Sequence, residues 1–499
     1  MTAEHGSQVD VVADVRLTGS DRLDPFGDDV VDVHLRDGRV IDIAPAGALP
    51  RAGVVLDGAG GWLIPGLWDH HVHTVQWALV AQRVPLGDAT SAADAAARMG
   101  GAPALDDGRR VGTGFRDALW PDRPTRAMLD AVTADVPTYL INADVHSVWL
   151  NTAAFAREQL AATEDGMLRE EPAFEISRRL NAVDPAVGDR FVTEALARAA
   201  ALGIVGIVDL DMAWNAEAWT RRLAQGFDST RIRFGVYPAL LERAISEGLA
   251  TGDALDPAGL VRMGPLKLIT DGSLGTRTAA CSHHYPGDPG NRGLLTIAPD
   301  ILGELLTRAT GAGLEVAVHA IGDLANTHAL DAFAATGAQG TIEHAQLVAH
   351  ADIARFARLG VGASVQPEHA VDDRDLTDTI WAEQTALPYP LRALADAGAN
   401  LLFGSDAPVA PLDPWAAMAA AVFRTRGGRP AWRPDQALDA ATALAASTSG
   451  GSVTGSTVNA GDVADLAVID RDPLSADEPS LRATGTAATL LGGRLTHLS

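Results

Sequence analysis

The stretch Asp69-His70-His71-Val72-His73 carries the densest group of metal-competent side chains in the chain. In an extended strand, residues two apart share a face, so His71 and His73 can approach one ion together. His70 then points to the opposite face and reads as structural. Three further groups end short apolar runs: His319 after 314–318, His344 after 340–343 and Asp406 after 401–405. Lys267 lies inside a fourth run that leads to Asp271. It is the only lysine in the chain, beside 38 arginines. Arginine stays protonated, whereas a desolvated lysine can become a free amine, so an apolar strand is a chemically distinct place to keep the one lysine.

The elements that must position these groups alternate. Short apolar strands are predicted at 203–211, 232–240, 261–270, 314–319, 340–344, 361–366 and 400–406, with helical periodicity at 299–311, 325–335 and 350–359. Strand–helix repetition of this kind predicts an α/β fold with a parallel sheet, a (β/α)₈ barrel or a doubly wound sheet. In a barrel the C-terminal strand ends converge on one face, which would bring all these groups into one cup. Residues 1–64 and 461–499 read instead as β-hairpins, one signalled by Asp37-Gly38, and suggest a small composite β-sandwich built from both termini. The barrel is expected over 65–420, with an insertion at about 91–189 where the alternation weakens, and 421–460 as a helical linker to the tail.

The motifs resemble the metal-dependent amidohydrolase superfamily, in particular its YtcJ-like branch (amidohydrolase family 3), which includes N-substituted formamide deformylases. The resemblance rests on Pro65-Gly-Leu-Trp-Asp-His-His-Val-His73 and Asp144-Val-His-Ser-Val-Trp-Leu-Asn151. It continues through Lys267-Leu-Ile-Thr-Asp-Gly-Ser-Leu-Gly-Thr-Arg-Thr278, His319-Ala-Ile-Gly-Asp323 and Ile342-Glu-His344, and ends with Gly404-Ser-Asp-Ala-Pro-Val409. It implies a TIM-type barrel with metal at its mouth. His71 and His73 would bind a first ion and His319 and His344 a second, with Lys267 bridging as an Nζ-carboxylated lysine. Asp406 would be both a ligand and the catalytic proton shuttle. Zinc is the expected metal, as one or two ions, because nitrogen and oxygen donors suit it.

The chemistry follows from that set. A metal brings the pKa of bound water to about 7 and polarises a carbonyl. Asp406 can take the proton released and deliver it to a leaving nitrogen. The expected activity is hydrolysis of non-peptide C–N bonds in a small-molecule substrate. Alternatives are an ester or lactone hydrolase using the same site, and a non-catalytic ligand-binding barrel. Arg277, His146, Trp149, Asn151, Tyr285 and His369 are the candidate substrate-binding residues.

Composition narrows the partners. With 39 basic and 64 acidic residues the formal charge is −25, which opposes binding to nucleic acid or anionic membranes. Cys281 is the single cysteine, so an intramolecular disulfide is excluded and a cytoplasmic setting is expected. Residues 1–10 are polar and carry no apolar signal-peptide core. No phosphate-binding Gly-x-x-x-x-Gly-Lys-Ser/Thr loop occurs. Homo-oligomerisation stays open.

Overall fold

The strands that end in the candidate ligands all belong to one parallel sheet. The computed structural model describes residues 3–19, 29–117, 120–142, 147–169 and 171–499. They form two compact units, Met1–Thr74 with Leu196–Ser499, and Val75–Ala195. In the first unit the sheet runs in chain order: β1 (Leu67–Val72), β2 (Ile204–Asp209), β3 (Arg231–Val236), β4 (Val261–Ile269), β5 (Val316–Ala320), β6 (Gly340–His344), β7 (Gly362–Val365) and β8 (Leu401–Phe403). The strands are Val/Ile/Leu-rich and buried almost throughout, as a parallel sheet covered on both faces requires. Helices Pro299–Gly311, Asp323–Thr336 and His350–Leu359 fill the intervals where helical periodicity predicts them.

The sheet closes on itself. Val72 bridges Ala407 in parallel, Asp406 N–H donates to the His71 carbonyl at 2.8 Å, and His73 N–H donates to the Ala407 carbonyl at 2.9 Å. Gly404 permits the approach, since a Cβ there would lie 2.8 Å from His71 N. The expected TIM-type barrel is therefore the fold, with several strands shorter than their apolar runs. β3 stops at Val236 because Pro238 opens a 3₁₀ turn, Pro238–Leu240, and proline has no N–H for the ladder.

Both termini build the small β domain. Its strand order places Leu466–Ile469 antiparallel to Trp62–Pro65, so the tail is hydrogen-bonded to the residues just before the barrel. Val12, Val33, Leu63, Val468 and Leu490 form its core. Among the described residues, no helix is long and apolar enough to cross a membrane.

The unit Val75–Ala195 has its own five-stranded sheet, ordered Met167–Arg169, Ser147–Leu150, Thr138–Asn142, Arg110–Phe115 and Val84–Pro85. This corrects two expectations about substrate contacts. Trp149 is wholly buried among Phe115, Leu140 and Met167. Asn151 is wholly buried as the N-cap of helix Thr152–Arg157, its Oδ1 accepting from the N–H groups of Thr138 and Ala154. Neither side chain has a surface to offer a substrate. Trp149→Ala should cost about 3–5 kcal/mol of stability, read by denaturant unfolding, because it empties the centre of this core. His146 lies outside the described residues.

Candidate active site

His71, His73, Lys267, His319, His344 and Asp406 all line one cavity of about 400 Å³ at the C-terminal strand ends. Its chemistry begins with Asp406, just beyond β8. Asp406 Oδ1 lies 3.5 Å from His71 Nε2 and 3.3 Å from His73 Nε2, and Oδ2 lies 4.0 Å from His369 Nε2. Burial disfavours its charge, but the surrounding histidines, His71 first, hold the carboxyl well below its ordinary range. Asp406 (φ 57°) and His344 (φ 75°) both take the left-handed backbone conformation. Non-glycine residues adopt it infrequently, and such positions concentrate at functional sites.

Among the described residues, two groups of three ligand atoms lie within 4.8 Å of one another: His71, His73 and Asp406, and His344, His369 and Asp406. The His319 and His344 rings stand 4.5 Å apart, His71 and His344 4.9 Å. His319 turns Nε2 toward the Gly272 carbonyl and the Asp271 carboxylate, both at 3.3 Å. Asp271 itself accepts from the N–H groups of Ala280, Ile321 and Gly322, which anchors the loop that follows His319.

The histidine tautomers are set from behind. His71 Nδ1 meets Glu343 Oε2 at 2.7 Å, and His344 Nδ1 meets Gln366 Oε1 at 2.8 Å. Each ring donates Nδ1–H to an oxygen and keeps an Nε2 lone pair for the cavity, the form that ligates metal. Burial, then the Lys267 charge, pulls His71 down to about 4, so it is neutral. His344 is lowered further by burial and by its His319 and His71 neighbours. Despite burial, the His71 bond and Lys267 hold Glu343 down at about 2. His369 differs: its Nδ1 faces Gln346 Nε2 at 3.4 Å, an arrangement that leaves Nε2–H to donate into the cavity.

Lys267 is 2 % exposed, its Nζ has no hydrogen-bond partner among the described residues, and burial lowers it to about 8. His73 Nδ1 and His369 Nε2 are likewise buried without partners. The free Nε2 lone pairs of His71 and His344, the unpartnered Lys267 Nζ and the buried Asp406 carboxylate around one cavity form a donor set that fits a divalent ion.

The remaining substrate candidates separate. His369 lines the cavity. Arg277 is exposed on the turn after Gly275, outside the lining, because its left-handed residue (φ 56°) turns the chain outward. Tyr285 is buried in an apolar cluster with Leu274 and Trp381, its hydroxyl donating to the Ala279 carbonyl, so it is core and not a lid. Sequence reasoning passed over Glu343, Gln346, Gln366 and the apolar wall of Tyr237, Ile269, Ile321 and Val409. Glu343 stood one residue before a candidate ligand, but nothing local shows that it meets His71, 272 positions away. Glu343→Ala should weaken metal binding about 10–100-fold, measured by chelator competition, with the apo protein's melting curve little changed.

Comparison with known proteins places this geometry. The putative amidohydrolase YtcJ of Bacillus subtilis is 25% identical over 88% of this chain and 89% of its own. The N-substituted formamide deformylase of Arthrobacter pascens is 26% identical over 90% of this chain and 91% of its own. An uncharacterized metal-dependent hydrolase from Pyrococcus horikoshii superposes with a TM-score of 0.78 at 26% identity, covering 94% of this chain and 99% of that one. The amidohydrolase family model matches residues 54–497, so the barrel, the insertion and the C-terminal part of the β domain are accounted for together, and the chain belongs to the amidohydrolase family.

Proposed function

We propose that the protein is a zinc-dependent hydrolase of non-peptide C–N bonds in small neutral amides, N-formyl amines among them. The observation that carries this reading is the meeting of His71, His73, Lys267, His319, His344 and Asp406 around one cavity. A divalent ion held by these residues supplies Lewis acidity that makes water nucleophilic at neutral pH and polarises the substrate carbonyl. His71 and His73 would hold a first ion. His344 and His319 would hold a second, and the His369 tautomer suits a hydrogen bond to the substrate carbonyl better than ligation. Asp406, ionised at neutral pH, accepts the proton released by the attacking water and passes it to the departing nitrogen. The apolar wall accommodates the carbon substituents of the amide.

Lys267, once carboxylated, would be a further ligand in this proposal. A neutral buried amine adds carbon dioxide to form a carbamate and releases one proton. The resulting anion offsets part of the charge of two cations.

The test combines elemental analysis with a screen of N-acyl and N-formyl amines. The expected outcome is one to two equivalents of tightly held zinc and an amidase activity that chelation removes and zinc restores. Under a tenth of an equivalent of any transition metal after metal-supplemented expression overturns the proposal.

A further inference from the structure

Three of the cavity histidines are backed at Nδ1, but not by the same kind of atom. Behind His71 and His344 the partner is an oxygen, Glu343 Oε2 and Gln366 Oε1, which takes Nδ1–H and frees Nε2 as a lone pair. Gln366 presents its oxygen because its Nε2 faces the Ser364 carbonyl at 3.4 Å. Behind His369 the partner is an amide nitrogen, Gln346 Nε2. An amide N–H only donates, so Nδ1 accepts and the ring proton sits on Nε2. That Nε2 is buried, has no partner among the described residues, and lies 4.0 Å from Asp406 Oδ2, beyond hydrogen-bond reach. It is a donor in a cavity where the neighbouring imidazoles offer lone pairs.

The backbone imposes this pairing. Two consecutive left-handed residues, His344 (φ 75°) and Ala345 (φ 42°), turn the chain at the end of β6 and bring Gln346 to the cavity wall. Non-glycine residues hold that conformation only where the surroundings fix it. Here Leu347 N–H donates to the Ile321 carbonyl and Tyr389 N–H to the Gln346 carbonyl. On the other side, Pro367 opens the helix Pro367–Asp372 directly after β7, which places His369 in its first turn. The buried Glu368 fastens this helix from behind, accepting from Arg482 Nη2 and Arg426 Nη1, each at 2.9 Å. Tyr389 joins the two segments, since its hydroxyl also donates to Asp373 Oδ2 at 2.8 Å.

We propose that Gln346 is a positioning residue that holds His369 as the Nε2–H tautomer, and that His369 is thereby the hydrogen-bond donor to the substrate's carbonyl oxygen as negative charge builds on it. The second half rests on the hydrolase reading above; the tautomer does not. A donor already in place stabilises developing charge without reorganising first. The same tautomer keeps His369 out of the ligand set, although one of its nitrogens lies within 4.8 Å of ligand atoms of His344 and Asp406.

Imidazole nitrogen NMR on the full-length protein, with isotope-labelled histidine, reads the tautomer directly. The His369 signals are those lost in His369→Ala, or in His369→Phe if the alanine variant does not fold. Metal-free and zinc-loaded protein should both show Nε2 protonated and Nδ1 bare. Gln346→Glu should put a proton on Nδ1, because a carboxylate accepts. Gln346→Met serves if that variant does not fold, and should leave a mixture of tautomers. On an amide found by the screen, His369→Ala should lower kcat about 10²–10³-fold, with KM changed less and zinc content kept. Gln346→Glu should lower kcat in the same direction. A proton on Nδ1 of the wild-type ring, loss of Nε2–H on zinc loading, an unchanged spectrum in the Gln346 variant, or undiminished kcat in His369→Ala overturns the proposal. A screen without turnover, beside the expected spectra, counts against the hydrolase reading and supports Gln346 as the residue that sets the tautomer.

Discussion

Asp406→Asn protein is expected to fold, to retain metal through the histidines, and to turn over at least about 10²–10⁴-fold more slowly than the wild type. The substitution keeps the side chain's shape and its 3.3 Å neighbour, His73 Nε2, while removing the negative charge and the ability to accept a proton. The four histidines that hold Asp406 ionised make it a base already in the correct state at neutral pH. The amide also loses an anionic ligand, so metal content must be measured beside kcat. A variant with wild-type metal content and more than a third of wild-type kcat removes Asp406 from the role of proton shuttle.

The second large effect is at Lys267. Lys267→Ala should lose nearly all activity and part of its metal, and acetate or propionate, with bicarbonate present, should restore a fraction of both. The reasoning starts from protonation: an exposed lysine with a pKa near 10.4 is almost wholly cationic at pH 7 and cannot add carbon dioxide. Burial between Leu266 and Leu268 brings Lys267 down to about 8, so a usable fraction is neutral near physiological pH. Arginine has no comparable neutral form, which gives a physical reason for the single lysine in a chain of 38 arginines. A short carboxylic acid can occupy the space left by the alanine and offer the metals the carboxylate they have lost. Crystallography is the independent check, because the adduct adds three heavy atoms beyond Nζ. Density that ends at Nζ in a metal-loaded crystal, or an alanine variant with undiminished metal and turnover, excludes the bridging carbamate.

Local rules carried the sequence reading a long way. Period-two spacing put His71 and His73 on one face, and strand–helix alternation left a barrel or a doubly wound sheet, between which the family resemblance chose the barrel. A barrel's convergent strand ends then required His319, His344, Lys267 and Asp406 to share a mouth, and they line one cavity. The choice of zinc, the modification of Lys267 and the substrate were expectations resting on resemblance and donor chemistry, and they remain proposals for measurement.

What tertiary structure alone decided depends on which distant segments meet. Trp149 and Asn151 had the residue types of a pocket wall, but the unit around them uses one as core and the other as a helix cap. Tyr285, in a Pro/Gly-rich loop, is drawn into an apolar cluster because its hydroxyl finds the Ala279 carbonyl. Glu343 became a support for His71 only when β6 and β1 were brought across the barrel from each other. His70 shows the limit most clearly, since strict alternation sends it away from His71 and one extra residue of β1 against β2 brings it inside. From its own residues this chain specified a parallel α/β sheet with metal-competent strand ends. Register and long-range partners came from packing, because neither leaves a periodic mark on the sequence.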